Sequence, residues 1–153
     1  MVFISLGTQK QQFPRILSLV ENSKVLKDCE IVAQIGNTKY NSNKIKCFDF
    51  MEQDEFEKFM SKSDLVICHG GVGTIFTALK KEKKILAIPR LKKYKEHIND
   101  HQIEVCNNLQ EMGYIECYKD GEDFDIVVKK ILEKKYEKYI SDYSYIDKIR
   151  KQI

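Results

Sequence analysis

Short apolar runs alternate with amphipathic segments along this chain, and that alternation is the strongest constraint on its fold. The clearest runs cover residues 2–6, 31–35, 65–68 and 85–88. They are apolar at successive positions rather than at every second one, which is typical of strands buried on both faces. Between them, apolar residues at helical spacing supply the covering layers. The sequence therefore predicts an α/β fold, a single domain with a mostly parallel sheet.

The remaining elements are weaker but fit the same order. Further strands are predicted over 45–50 and 114–117, and further helices after Pro14, over 54–62, after the glycine-rich segment 69–74, over 98–112 and over 124–132. The sequence divides into two units: residues 1–135, which hold the predicted α/β fold, and residues 136–153. The second unit is rich in Lys and Tyr and carries a stripe of apolar residues, which predicts a C-terminal amphipathic helix. Two interpretations of this helix stay open: a solvated terminal helix, or a docking helix for a partner.

Composition excludes several classes of protein. Hydrophobic residues make up 42% of the 153 residues, too many for a disordered chain, and the formal net charge of +3 is too small to indicate a nucleic-acid partner. The five cysteines are odd in number and form no CxxC pair, so we expect neither a disulfide framework nor a zinc site. The sequence has no signal-peptide pattern and no apolar run long enough to cross a bilayer, which predicts a cytoplasmic location.

Candidate ligand-binding residues follow the predicted strands. Gly7, Thr8 and Gln9 follow the first, the segment 69–74 (HGGVGT) follows another, and Pro89 and Arg90 follow a third. Ligands of open α/β sheets bind at the carboxyl ends of strands, and a glycine-rich turn opening a helix suits a diphosphate. The alternative is that these glycines only permit a tight turn. The segment is neither a GxGxxG fingerprint nor a P-loop.

Two further patterns carry charge or imidazole groups. Residues 80–95 hold seven lysines and Arg90 against one acid, Glu82, which indicates either a surface for an anionic ligand or membrane, or a solvated helix end. His97 and His101 share a helical spacing but lack a third ligand for a metal. Asp100, His101 and Gln102 begin a predicted helix, where they could face a sugar or phosphate or cap the helix.

Taken together, these segments resemble a known family. Residues 4–9 (ISLGTQ), 48–50 (FDF), 63–74 (SDLVICHGGVGT), 87–90 (AIPR) and 100–102 (DHQ) look like the C-terminal domain of family-28 glycosyltransferases, over roughly 1–131. Within that family the chain is similar to the PssE-like catalytic subunits of two-subunit bacterial capsule or exopolysaccharide glycosyltransferases. It is similar also to the cytosolic subunit of the eukaryotic dolichyl-diphosphate N-acetylglucosaminyltransferase.

The resemblance implies one Rossmann-like half of a GT-B fold, with the acceptor-binding half on a separate, membrane-anchored subunit that recruits this chain to the inner face of the membrane. It implies inverting transfer of galactose, glucose or N-acetylglucosamine from a UDP-sugar to a lipid-linked saccharide in polysaccharide biosynthesis, with no cofactor, no obligatory metal and no nucleic-acid partner. The alternatives are a non-catalytic nucleotide-binding or scaffold subunit and, less compatible with this length, a UDP-sugar epimerase.

The same resemblance implies the site residues. The donor would be bound by Gly7, Thr8, Gln9, Phe50, Met51, Gly70, Gly71, Val72, Gly73, Thr74, Arg90, Asp100, His101 and Gln102. Phe50 and Met51 would lie near the uracil. His69 is the candidate catalytic base, unless the partner supplies it. Thr77 stands where many family members have a glutamate for the ribose. We also expect a Gly71→Val variant to fold and to lose donor binding, because a branched side chain there would keep the diphosphate from the backbone.

Overall fold

Six strands and five helices alternate along residues 1–140, the part of the chain that the computed structural model describes. The strands are β1 (Val2–Ser5), β2 (Ile31–Gln34), β3 (Lys46–Phe48), β4 (Leu65–Cys68), β5 (Lys84–Ala87) and β6 (Glu116–Cys117). The helices are α1 (Pro14–Glu21), α2 (Gln53–Lys62), α3 (Val72–Lys80), α4 (His101–Glu111) and α5 (Phe124–Glu133). None of these helices has both the length and the hydropathy needed to cross a bilayer.

The strands form one sheet in the order β3-β2-β1-β4-β5-β6, and every pairing is parallel. This confirms the predicted fold class. Because the chain first moves outward from β1 to β3 and then returns to β4, the direction of winding reverses between β1 and β4. The register pairs Ser5 with Gln34 on one side and with Cys68 on the other, so these three strands end level. The reversal therefore leaves a crevice at the carboxyl edge, where such sheets bind ligands.

Both faces of the sheet are covered, which explains why the strands are apolar at every position. Ile4 of β1 packs in a cluster with α1 and α5, whereas its neighbour Phe3 packs in a second cluster with α2, α3 and α4. Successive strand residues point to opposite faces, so each position meets a helix layer. The Phe3 ring contacts two rings of α2, at centroid distances of 5.2 Å to Phe56 and 6.1 Å to Phe59.

The segment after α5 does not continue as a helix. Lys134 has an extended backbone, and residues 136–140 have no regular secondary structure; the rest of the helix predicted over 136–153 lies outside the described residues. Tyr136 donates a hydrogen bond to the Glu116 carboxylate (2.8 Å), and the Tyr139 ring packs against Phe76 and Tyr114. Residues 136–140 therefore pack on their own domain.

The basic window at 80–95 does not form one surface. Lys80, Lys81, Lys83 and Lys84 lie around the start of β5, at the amino edge of the sheet, whereas Lys92, Lys93 and Lys95 follow β5 at the carboxyl edge. Arg90 lies between them and is only 1% exposed. The interpretation of this window as a single cluster was wrong, because β5 separates its two halves.

Candidate functional site

An open cleft of about 410 Å³ lies at the carboxyl edge of the sheet, at the reversal between β1 and β4. Six of the predicted donor-binding residues line it: Gly7, Thr8, Phe50, Met51, Gly73 and Thr74. They come from three separate segments, which follow β1, β3 and β4. The fold therefore brings these predicted residues to one place, while Gln9, Gly70, Gly71, Val72, Arg90, Asp100, His101 and Gln102 lie around the cleft rather than in its lining.

The amino terminus of α3 opens onto this cleft without a capping side chain. Gly71 precedes the helix, and the first hydrogen bond of the helix runs from the Ile75 amide to the Gly71 carbonyl (3.2 Å). The amides of Val72, Gly73 and Thr74 therefore have no carbonyl partner inside the helix. With the positive end of the helix dipole, they form a ready site for an anion. A Cβ at Gly73 would meet no atom within 4 Å, so this residue borders open space.

His69 lies behind the cleft, between two glycines. A Cβ at Gly71 would lie 2.0 Å from Cε1 of His69, and one at Gly7 would lie 2.5 Å from Nε2 of His69. The ring is only 8% exposed, and its Nδ1 has no hydrogen-bond partner within residues 1–140. Burial, together with the positive charge of nearby Arg90, lowers the pKa of His69 to about 4. The imidazole is therefore neutral at neutral pH and fills the space between the β1 and β4 loops.

Gln102 connects the glycine loop to the end of β5. Its side-chain oxygen accepts hydrogen bonds from the amides of Gly70 (3.0 Å) and Arg90 (2.9 Å). The residue is buried, and a Cβ at Gly70 would lie 2.7 Å from the Cβ of Gln102. The structure thus places Gln102 behind the loop, bonded to its backbone, rather than facing a donor sugar. In the sequence, the polar Gln102 on the apolar face of the predicted helix was the signal for this buried role.

Arg90 also points into the protein. Its guanidinium donates to the carbonyls of Leu6 (2.7 Å), Gln11 (2.9 Å) and Glu96 (3.0 Å) and lies over the Phe13 ring. Burial lowers its pKa to about 10, which still leaves it charged at neutral pH. The expectation that Arg90 contacts the donor does not fit this geometry, because the guanidinium is buried and both of its terminal nitrogens, Nη1 and Nη2, donate to backbone carbonyls. Arg90 instead joins the β1 loop to the β5 loop.

The other predicted residues at this edge lie on its outer side. Gln9 is hydrogen-bonded to Nε2 of His97 (2.9 Å), and Asp100 accepts from the Lys92 amide (2.9 Å). Asp100 precedes α4 but makes no capping bond with its side chain. His101 is exposed at the first position of the helix. Gln9, Asp100 and His101 thus lie outside the cleft lining.

Sequence reasoning missed several residues that build the cleft. Gln34 lines it and accepts a hydrogen bond from the Met51 amide (2.8 Å), which holds the segment after β3 in place. A glutamine inside the apolar run 31–35 was the signal for it. Ser5, Gln53 and Phe56 line the cleft as well. Thr77, which the resemblance had already placed near the ribose, also lines it, and its hydroxyl donates to the Gly73 carbonyl (2.9 Å).

Comparison with known proteins decides the family. Residues 1–150 match the glycosyltransferase family 28 C-terminal domain. The chain belongs to this family. The resemblance drawn from the HGGVGT, AIPR and DHQ segments is thereby confirmed.

Two relatives carry the name UDP-N-acetylglucosamine transferase subunit ALG13. The protein from Debaryomyces hansenii is 32% identical over 120 residues, which cover 72% of this chain and 55% of that protein. The protein from Cryptococcus neoformans var. neoformans serotype D (strain JEC21) is 31% identical over 84 residues, which cover 54% of this chain and 39% of that protein. This family-28 chain thus spans about half the length of these relatives or less.

Solved structures share the fold. The NMR structure of ALG13 superposes with a TM-score of 0.66 at 19% identity and covers 97% of this chain and 93% of that one. The glycotransferase of kitacinnamycin gives a TM-score of 0.64 at 16% identity, and the spinosyn forosaminyltransferase SpnP one of 0.62 at 14%. This chain covers 37% and 34% of those two chains. It therefore has the fold of one half of a GT-B glycosyltransferase.

Proposed function

We propose that this chain is the donor-binding, catalytic subunit of an inverting UDP-sugar-dependent glycosyltransferase that acts on a lipid-linked saccharide in polysaccharide biosynthesis. The observation that carries the proposal is the cleft at the β1–β4 reversal, where residues from three segments meet the uncapped amino terminus of α3. Its lining holds six of the residues that the family resemblance assigns to the donor.

The diphosphate would lie at the amino terminus of α3. Free amides and the helix dipole attract negative charge there, and the open space at Gly73 lets a phosphate approach the backbone. When the bond between sugar and phosphate breaks, charge builds up on the departing UDP. Amides fixed in that direction stabilise the leaving group without reorganisation, so we propose that no metal is obligatory.

The uracil would lie against Phe50 and Met51. The Phe50 ring is 56% exposed at the rim of the cleft, and Gln34 fixes the Met51 backbone beneath it. An exposed ring at the edge of a polar cleft offers an aromatic base a flat apolar surface. Thr77 has its hydroxyl bonded to Gly73, so we propose that the ribose is held by other groups.

A second subunit would complete the active site. None of the described residues that line the cleft carries an acidic or basic side chain, and His69 is buried with a lowered pKa. A base must nevertheless remove the proton of the acceptor hydroxyl. We therefore assign the base to the acceptor-binding half, on a membrane-anchored partner that recruits this chain to the inner face of the membrane. The word "subunit" in the names of the relatives supports this assembly.

The relatives are named for transfer of N-acetylglucosamine, so UDP-N-acetylglucosamine is the first donor to test, before UDP-glucose and UDP-galactose. The absence of a titratable side chain in the described cleft lining also favours a second candidate function, a non-catalytic nucleotide-binding subunit. The two candidates differ in whether the cleft is needed for transfer.

Ligand-induced stabilisation tests donor binding. UDP present at a hundredfold excess over its Kd should raise the melting temperature by about 5–10 °C, because only the folded protein binds it. ADP is the matched control and should shift the temperature little. A shift with ADP or NAD in place of UDP would overturn the assignment of the donor.

Transfer tests catalysis. The chain is co-expressed with its membrane partner, and membranes are supplied with a labelled UDP-sugar. Wild-type chain should support transfer, and a Gly73→Val chain, with the cleft obstructed, should not. Equal transfer by a folded Gly73→Val chain would favour the non-catalytic candidate.

A further inference from the structure

The amino edge of the sheet, opposite the cleft, carries a surface built from two distant segments of the chain. Residues 80–84 and 130–138 meet there: Nζ of Lys84 donates to the Leu132 carbonyl (2.8 Å), and Lys138 pairs with Glu82 (3.0 Å). We refer to these two segments together with Glu116 as the lysine edge. A groove of about 460 Å³ runs between the two segments.

Positive charge dominates the lysine edge. Its eight lysines stand against four glutamates, an excess of four positive charges, whereas the formal net charge of the entire chain is +3. The buried carboxylate of Glu116 is shared by two lysines, Lys130 at 2.9 Å and Lys134 at 3.9 Å, so one of these charges is left over. The lysine edge therefore carries a larger net positive charge than the entire chain, and it sets up a local positive potential.

Exposed aliphatic side chains accompany these lysines. Leu132 is 44% exposed within the lysine edge, and Ile140, which follows it closely in the chain, is 78% exposed. The tyrosine rings of the groove are engaged within the domain. The Tyr136 ring packs against the core with Lys134 over it, and the Tyr139 ring packs on Phe76 and Tyr114. The surface thus offers cations and aliphatic groups, while these rings are occupied.

We propose that the lysine edge docks on an anionic lipid bilayer. Clustered lysines attract acidic headgroups, and aliphatic side chains beside them enter the headgroup boundary. The occupied rings disfavour single-stranded nucleic acid, whose bases stack on free aromatic side chains. The attraction belongs to this chain and is additional to the recruitment by a partner proposed above.

Vesicle co-sedimentation without any donor or acceptor tests the proposal, so its outcome is independent of the proposed transfer activity. The full chain should bind vesicles of phosphatidylglycerol and phosphatidylcholine, but not of phosphatidylcholine alone, and should be released at about 1 M salt. Each lysine removed should lower the partition coefficient about fivefold, or about 100-fold for three. The test variant removes three exposed or half-exposed lysines of the edge: Lys80→Gln, Lys81→Gln and Lys135→Gln.

The matched control loses the same charge from exposed lysines near the opposite edge: Lys10→Gln, Lys39→Gln and Lys95→Gln. It should bind the acidic vesicles like the wild type. An Ile140→Asn variant should bind more weakly than the wild type, although its charge is unchanged. No binding to acidic vesicles at low salt, or equal losses in both triple variants, would overturn the proposal. Displacement of the chain from these vesicles by an RNA oligonucleotide would instead assign the surface to nucleic acid.

Discussion

The imidazole of His69 occupies the space that a side chain on Gly71 would need. A Cβ at Gly71 would lie 2.0 Å from Cε1 of His69, closer than any real contact. Gly71 is therefore glycine because it packs against His69, whereas Gly73, two residues later, faces open space in the cleft. The two glycines of the same loop thus have different reasons for lacking a side chain.

Substitution by valine should separate these two roles. Gly71→Val should destabilise the fold, because the branched side chain must displace a buried ring. Gly73→Val should keep its melting temperature within a few degrees and lose UDP affinity by at least about tenfold, because the side chain would enter the cleft. The expectation from sequence that Gly71→Val folds normally does not fit this packing. Thermal melts with and without UDP check both variants. An unchanged UDP affinity of the Gly73→Val variant would show that the diphosphate does not bind at the amino terminus of α3.

Gln102 should prove a positioning residue. Gln102→Leu leaves the buried amides of Gly70 and Arg90 without an acceptor, which should lower the free energy of unfolding by about 2–4 kcal/mol. Gln102→Glu keeps an oxygen at this position and should lose less. Urea denaturation measures the difference between the two variants. Equal losses would show that an acceptor oxygen at this position does not contribute to stability.

His69 should make stability depend on pH. Its pKa is about 4 in the folded protein, below the unfolded value of 6.5, so the unfolded chain binds the extra proton. The contribution of the neutral imidazole to the free energy of unfolding is fully present above about pH 6.5. It is lost as the pH falls towards 4, and the total loss is up to about 3 kcal/mol. Denaturant unfolding of wild type and His69→Gln between pH 7.5 and 4.5 isolates this contribution, since other groups titrate in both. If the free energies of unfolding of the two proteins changed in parallel with pH, His69 would not be a buried, neutral imidazole.

Truncation should show that residues 136–140 belong to the domain. A chain ending at Ile140 keeps the Tyr136–Glu116 hydrogen bond and the Tyr139 packing. A chain ending at Lys135 loses both and should be less stable by about 2–4 kcal/mol. Equal stability of the two truncated chains would show that the contacts of Tyr136 and Tyr139 do not stabilise the domain.

The order and type of the elements could be predicted because their signals are local. Residues 2–6 and 65–68 are apolar at successive positions, and the structure shows the reason: Phe3 and Ile4 meet helices on opposite faces of the sheet. The apolar spacing extended α4 back to 98, whereas the helix begins at His101, where the polar segment 100–102 had indicated a helix start. The cleft residues Gly7, Thr8, Gly73 and Thr74 could be predicted as well, since all of them follow strands of a parallel sheet.

What the sequence determined by itself was therefore the fold class, the family and the edge of the sheet that carries the cleft, because periodicity and motif order are properties of neighbouring residues. Only the tertiary structure decided the direction of individual side chains. Arg90 and Gln102 follow the expected pattern of a site but turn inward, since buried amides and carbonyls need partners. It also brought Lys84 to Leu132, because α5 packs against β5 and its carboxyl end lies beside the start of that strand.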